Sequence, residues 1–99
     1  MLKDKTAVIT GAAKGIGRAI ATAFAKKGCN IVLNYRSSVS EDLVKEIEEC
    51  GVKCLAVKAD VSDFEQAETL IKTAKTEFGS VDVLVNNAGI TRDGLLMRM

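Results

Sequence analysis

The spacing of apolar positions changes several times along the chain. Lys5-Thr6-Ala7-Val8-Ile9-Thr10 is a short apolar run with β-branched residues, which predicts a buried strand. From Ile16 the period lengthens. Ile16, Ala19, Ile20, Ala23 and Phe24 follow the i, i+3, i+4, i+7, i+8 stripe of an amphipathic helix. Lys26 and Lys27 suit the negative end of its dipole, and Gly28 stands where a helix-terminating glycine belongs. Asn30 to Tyr35 predicts a second strand. Ser38 and Glu41 have capping-box spacing before Leu43, Val44 and Ile47, a second helical face that Gly51 ends. Lys53 to Ala59 predicts a third strand. Ser62 and Glu65 repeat the capping box. Phe64, Ala67, Ile71, Ala74 and Phe78 predict a third helical face, closed by Gly79, and Val81 to Val85 predicts a fourth strand.

This order is β-α-β-α-β-α-β. Connections of this length are crossovers, so the strands are expected to be parallel with helices on the faces of the sheet. The fold class is α/β: a Rossmann-type parallel sheet with flanking helices, strand order 3-2-1-4, forming part of a doubly wound domain. No linker, repeat or low-complexity stretch divides residues 1–99. The order 3-2-1-4 places the fourth strand at an edge, yet Val83-Leu84-Val85 is apolar on both faces, as interior parallel strands are. Leu95, Leu96, Met97 and Met99 follow without a cap or stop signal. The expectation is that residues 1–99 are the N-terminal, cofactor-binding portion of one longer domain.

Composition narrows the function classes. Apolar residues make up 47% and charged residues 27%, which excludes a disordered tail. No apolar run approaches the roughly 18 residues of a membrane span. Met1-Leu2-Lys3-Asp4-Lys5 lacks the apolar core of a secretion signal, so a cytoplasmic chain is expected. Fourteen basic residues balance thirteen acidic ones, for a net charge of +1. Bulk charge therefore gives no support to nucleic-acid binding. Histidine is absent, which rules out a Ser-His-Asp triad and any histidine-liganded metal within these residues. Cys29, Cys50 and Cys54 include no CxxC pair, so reduced thiols and no metal site are expected.

The candidate chemistry lies at the strand ends. Thr10-Gly11-Ala12-Ala13-Lys14-Gly15-Ile16-Gly17 joins the first strand to the first helix. Gly11 permits a tight turn. Gly15 and Gly17 leave room for a ligand or for close helix packing. A helix N-terminus at this loop favours an anion, most naturally a pyrophosphate. The alternative is a tight turn that binds nothing. The loop lacks the G-K-[ST] ending of a P-loop, which argues against ATP or GTP hydrolysis. A free ribose 2′-hydroxyl usually meets an acid about 20 residues beyond such a loop. Here Asn34-Tyr35-Arg36-Ser37-Ser38 holds none. Arg36 can make a forked contact with a 2′-phosphate, with Ser37 and Ser38 as further donors and Lys14 as a second cation. Alternatively, Arg36 and Lys14 are solvated charges. The missing acid also disfavours a methyltransferase-like domain. Asp60-Val61 can receive an adenine amine and cover its ring, or Asp60 can be a turn acid beside Ser62. Asn86-Asn87-Ala88-Gly89 offers two amides and a small pair past which a nucleotide can run.

In this order and spacing, the glycine loop, Asp60-Val61 and Asn86-Asn87-Ala88-Gly89 resemble the short-chain dehydrogenase/reductase family, over the whole chain. The tail Ala88-Gly89-Ile90-Thr91-Arg92-Asp93-Gly94-Leu95-Leu96-Met97-Arg98-Met99 is most similar to its 3-oxoacyl-[acyl-carrier-protein] reductase branch. The resemblance implies NADPH as cofactor. Its binding set is then Gly11, Ala13, Lys14, Gly15, Ile16, Gly17, Arg36, Ser37, Asp60, Val61, Asn87, Ala88 and Gly89. It also implies an acyl-carrier-protein-bound substrate and a homo-oligomer, a tetramer in the family. The family's Asn-Ser-Tyr-Lys catalytic set lies beyond residue 99. Tyr35 is not that acid, because Val39 stands where the lysine belongs. No catalytic residue is therefore assigned. Another short-chain reductase of a sugar, steroid or small ketone, or a non-catalytic nucleotide-binding module, is the alternative.

Overall fold

The computed structural model describes residues 3–11, 15–36, 41–86 and 95–98, with Asn86 and residues 95–98 described by backbone alone. The elements are β1 (Thr6–Ile9), α1 (Gly15–Lys26), β2 (Asn30–Tyr35), α2 (Glu41–Glu48), β3 (Cys54–Lys58), α3 (Phe64–Phe78), β4 (Val83–Asn86) and β5 (Leu95–Arg98). The sheet order is β3-β2-β1-β4-β5. β2, β1 and β4 lie side by side in parallel, and β3 runs parallel to β2, which gives the expected four-stranded order 3-2-1-4.

β5 is the departure from expectation. It runs antiparallel to β4, from Val83↔Arg98 to Asn86↔Leu95. β4 is therefore not an edge strand, and Leu95, Leu96 and Met97, which carry no cap or stop signal, form with Arg98 a fifth strand. Antiparallel neighbours need no crossover, so the short stretch between β4 and β5 suffices. The apolar run Leu95-Leu96-Met97 has no period-2 alternation, which is why the sequence pattern gave no strand there.

Alternation along the parallel strands divides the core in two. Ala7, Ile9, Ile31, Leu33, Val83 and Val85 face α1 and α2, where Ala21, Ala25, Leu43 and Ile47 meet them. Val8 and Val32 face α3 and pack with Leu70 and Ala74. β1 is buried along its whole length, with helices over both faces. β3 is only half-buried, as a sheet edge should be.

Two helical faces differ in part from those the sequence suggests, although Ile20 and Phe24 of α1 and Ile71, Ala74 and Phe78 of α3 do pack on the core. In α1 the buried residues are Gly17, Ala21 and Ala25, whereas Ile16 is 72% exposed and Ala19 and Ala23 face solvent. Small residues let the helix backbone approach the sheet closely, and Ile20 and Phe24 fill the flanks. In α3 Phe64 is 79% exposed and Leu70 takes the core position. The cap of α3 also differs. Asp63, not Ser62, is the N-cap, and its Oδ1 accepts from the amides of Glu65 (2.9 Å) and Gln66 (3.3 Å). An aspartate directly before Phe64 out-competes the serine, because its carboxylate also meets the helix dipole. The predicted glycine stops hold. Gly79 takes φ 87°, a left-handed conformation, and its N–H donates to the Lys75 carbonyl at 2.7 Å. Gly28 and Gly51 have the same conformation.

At the amino edge of the sheet Asp82 ties β4 to β1. Its Oδ2 accepts from the Thr6 N–H at 2.9 Å and from the Ser80 hydroxyl at 3.2 Å, while its own N–H donates to the Thr6 carbonyl at 2.9 Å. Thr6 is 1% exposed, so its amide has no water to fall back on. Asp82→Ala should cost about 1–3 kcal/mol, the usual penalty for stranding a buried donor. A urea denaturation midpoint unchanged by this substitution would show that the amide finds another acceptor.

Candidate functional site at the carboxyl edge of the sheet

Parallel strands in register end together, and here their carboxyl ends bring the candidate residues to one edge. β1 stops at Ile9. The Thr10 amide and hydroxyl both donate to the Val85 carbonyl, at 3.0 and 3.3 Å, which ties the first turn to the end of β4. Gly11 then leaves the strand at φ 61°. Gly15 opens α1 at φ 64°, and among the described residues a Cβ built there would meet no non-neighbouring atom within 4 Å. The backbone conformation itself favours glycine. The first turn of α1 carries no acidic residue, so its positive dipole end has no carboxylate neighbour within that turn. Ile16 lies on the open side. Gly17 is buried on the sheet side of α1, which makes it a packing glycine.

Arg36 follows β2 directly, its side chain 81% exposed. Asp60 follows β3. Asp60 Oδ1 accepts from the Ser62 amide at 3.0 Å and from the Ser62 hydroxyl at 2.6 Å, a closed turn. Its other oxygen, Oδ2, lies 4.0 Å from Arg36 Nε. The Asp60 N–H donates to Gln66 Oε1 at 2.8 Å, which anchors the turn to α3. The Ser62 hydroxyl, then the Ser62 amide, and then the Arg36 charge hold the Asp60 carboxyl below its ordinary range. Asp60 is thus a turn acid through one oxygen and a partner of Arg36 through the other. Val61 packs partly onto the α3 side of the core.

The edge therefore assembles Gly11, Gly15, Ile16, Arg36, Asp60 and Val61, with Gly17 behind them. Ala13, Lys14, Ser37, Asn87, Ala88 and Gly89 lie outside the described residues, as does the Ser38 cap. Sequence reasoning passed over Asn34. Its amide side chain is buried in β2 and bonds to both neighbouring strand ends. The available signal was an amide inside the otherwise apolar strand Asn30-Ile31-Val32-Leu33-Asn34-Tyr35.

A glycine turn between a central strand and a helix N-terminus, with a cation after the neighbouring strand, is the arrangement of a nucleotide-binding edge. A sequence profile described as short chain dehydrogenase matches residues 5–99. The chain belongs to the short-chain dehydrogenase family. Over its full length it is 50% identical to the 3-oxoacyl-[acyl-carrier-protein] reductase FabG of Staphylococcus aureus, and 49% identical over 97% of its length to that of Staphylococcus epidermidis. It spans about two fifths of these relatives, 41% and 40% of their lengths. Among solved structures, a double mutant of a Serratia marcescens short-chain dehydrogenase/reductase superposes on 94% of the chain with a TM-score of 0.84 and 35% identity, and the match covers 39% of that protein. No helix among the described residues is long and apolar enough to cross a membrane.

In this short-chain dehydrogenase chain the thiols do not belong to the carboxyl edge. Cys29 and Cys54 pack in or against the α1–α2 side of the core. Burial, with Asp82 adding to it, pushes the Cys29 thiol up to about 11. Burial, with Glu48 adding to it, pushes Cys54 up to about 12. Neither is a ready thiolate at neutral pH. No group of three or more His, Cys, Asp or Glu among the described residues can hold a metal. A thiol held neutral by folding, with its pKa raised from 9.0, contributes its full stability below pH 9 and loses it as pH rises toward 11 and 12. Denaturation midpoints should therefore fall between pH 8.5 and pH 11, and fall less in a Cys29→Ala/Cys54→Ala variant. Identical pH profiles for the two proteins would refute this assignment.

Proposed function

We propose that this chain is the dinucleotide-binding half of an NADPH-dependent reductase that converts a 3-oxoacyl-[acyl-carrier-protein] thioester to its 3-hydroxyacyl form. The observation that carries the cofactor reading is Arg36. It stands exposed just after β2, where an NAD-binding site usually presents an acid. A guanidinium there can grip a 2′-phosphate with two charge-assisted hydrogen bonds. The residues present fit the dinucleotide. Gly11 and Gly15 stand with positive φ at the two ends of the glycine loop, the first turn of α1 carries no carboxylate, and Asp60 offers Oδ2 beside Arg36. When bound, NADPH supplies hydride to the substrate carbonyl. The roles of this chain's residues are to hold the diphosphate, orient the adenosine and select the 2′-phosphate. The substrate reading rests on the two staphylococcal reductases, at 49–50% identity. By resemblance, the tyrosine that protonates the carbonyl and its lysine lie in sequence beyond residue 99 of a longer, homo-oligomeric cytoplasmic enzyme.

Arg36→Ala should weaken NADPH binding about 10- to 100-fold relative to NADH, the loss expected for a bidentate charged contact. Fluorescence titration with each cofactor reads this directly, and equal losses would make Arg36 a structural residue. A second expectation concerns chemistry. Mixed with NADPH and a 3-oxoacyl thioester, these 99 residues alone should leave NADPH absorbance unchanged, because no tyrosine-lysine pair is present to donate the proton. Steady NADPH oxidation by a homogeneous preparation would sink that division of labour.

A further inference from the structure

The buried polar side chains among the described residues are Thr6, Thr10 and Asn34. The two threonines sit at the ends of β1. Asn34 lies within β2 and is 2% exposed. It stands one residue past the last β1–β2 pair, Ile9↔Leu33, and opposite Val57 of β3. Asn34 Oδ1 accepts from the Gly11 N–H at 3.3 Å. Asn34 Nδ2 donates to the Ala59 carbonyl at 3.0 Å and to the Val57 carbonyl at 3.4 Å. The partners fix the orientation of the amide. Turned over, its oxygen would face two carbonyls and its nitrogen would face an N–H.

One side chain thus reaches across β2 to both neighbouring strand ends, just past the last β1–β2 pair, while the β2–β3 pairing runs on to Tyr35↔Lys58. Gly11 begins the glycine turn. Ala59 directly precedes Asp60 and Val61. We propose that Asn34 is a positioning residue of the nucleotide site, fixing the separation between the glycine turn and the Asp60-Val61 end of β3. This rests on the dinucleotide-binding reading above. A dinucleotide lays its diphosphate on the turn and its adenosine toward β3, so its affinity depends on that separation. A ligand that touches only one of the two ends does not depend on it. Other residue types fail here for distinct reasons. Aspartate keeps the acceptor for Gly11 but turns an oxygen toward two carbonyls. Leucine removes both the acceptor that Oδ1 gives the Gly11 N–H and the donor that Nδ2 gives the Ala59 carbonyl.

Two probes separate the roles. 2′-Phospho-ADP-ribose spans both ends, whereas adenosine 2′-monophosphate reaches only the Arg36–Asp60 end. By calorimetric titration, Asn34→Leu should lose about tenfold in affinity for the spanning probe, and clearly less for adenosine 2′-monophosphate. Asn34→Asp should fall between Asn34→Leu and the unsubstituted chain. Equal losses for the two probes, or no loss, overturn the proposal and leave Asn34 a stability residue. If the unsubstituted chain fails to bind 2′-phospho-ADP-ribose, the dinucleotide reading falls and takes this one with it. If it binds but the variants do not discriminate, only the role of Asn34 falls. Should both variants fail to fold, amide exchange in the unsubstituted chain decides. The Gly11 amide should exchange far more slowly than an unstructured glycine, and exchange at the unstructured rate overturns the proposal.

Discussion

Everything at the candidate site depends on β1 being buried between two parallel neighbours. With helices over both faces and strands on both sides, β1 has no freedom of register. Ile9 pairs with Leu33 on one side and with Val85 on the other. Because all these strands run the same way, their carboxyl ends converge on one edge, and the chain must turn there. Side chains that lie 20 to 50 residues apart in sequence, such as Gly11, Arg36 and Asp60, are gathered by that constraint alone.

The two edges of the sheet are closed by different chemistry. At the amino edge Asp82 uses both its backbone and its carboxylate on Thr6, so the edge is satisfied internally. At the carboxyl edge the satisfied groups lie one layer back. Thr10 reaches Val85, Asn34 reaches Gly11 and Ala59, and Ser62 closes the Asp60 turn. In front of that layer, among the described residues, stand an exposed isoleucine, an exposed arginine and the N-terminus of α1. A hydrogen-bonded inner layer under exposed side chains suits a ligand site, because the ordering cost is met by folding rather than by binding.

Much of this was legible in the sequence. The period change at Ile16 and the glycines at 28, 51 and 79 delimited the elements, and the β-α alternation gave the order 3-2-1-4. The errors have specific causes. Apolar spacing alone could not locate the buried face of α1, because the helix packs through Gly17, Ala21 and Ala25, which carry little hydropathic signal. Phe64 is apolar and fits the helical stripe, yet in the first turn of α3 it is exposed. Asp63 displaced Ser62 as cap because two capping residues stood side by side. β5 was missed because an unalternated run of Leu, Leu and Met reads equally as helix or strand. Asn34 was passed over because a polar residue near a strand end looks like a boundary, and its reach to Gly11 and Ala59 exists only once three strands are aligned.

Arg36 and Asp60 form an ion pair that contributes little to stability. Their atoms are 4.0 Å apart and the arginine is largely in solvent, so water and salt screen the attraction. Asp60 does not depend on it, since Ser62 already gives its carboxylate two hydrogen bonds. The arginine is therefore held beside Asp60 at the carboxyl edge without being consumed by its partner. A phosphate dianion carries more charge than a carboxylate and can accept both arms of the guanidinium fork, so it displaces the weaker contact readily. A ribose hydroxyl offers neither the charge nor the fork. On this argument the looseness of the Arg36–Asp60 pair leaves the guanidinium able to exchange its partner for an incoming anion. A tightly bidentate, buried pair at the same positions would hold its guanidinium back from any such anion.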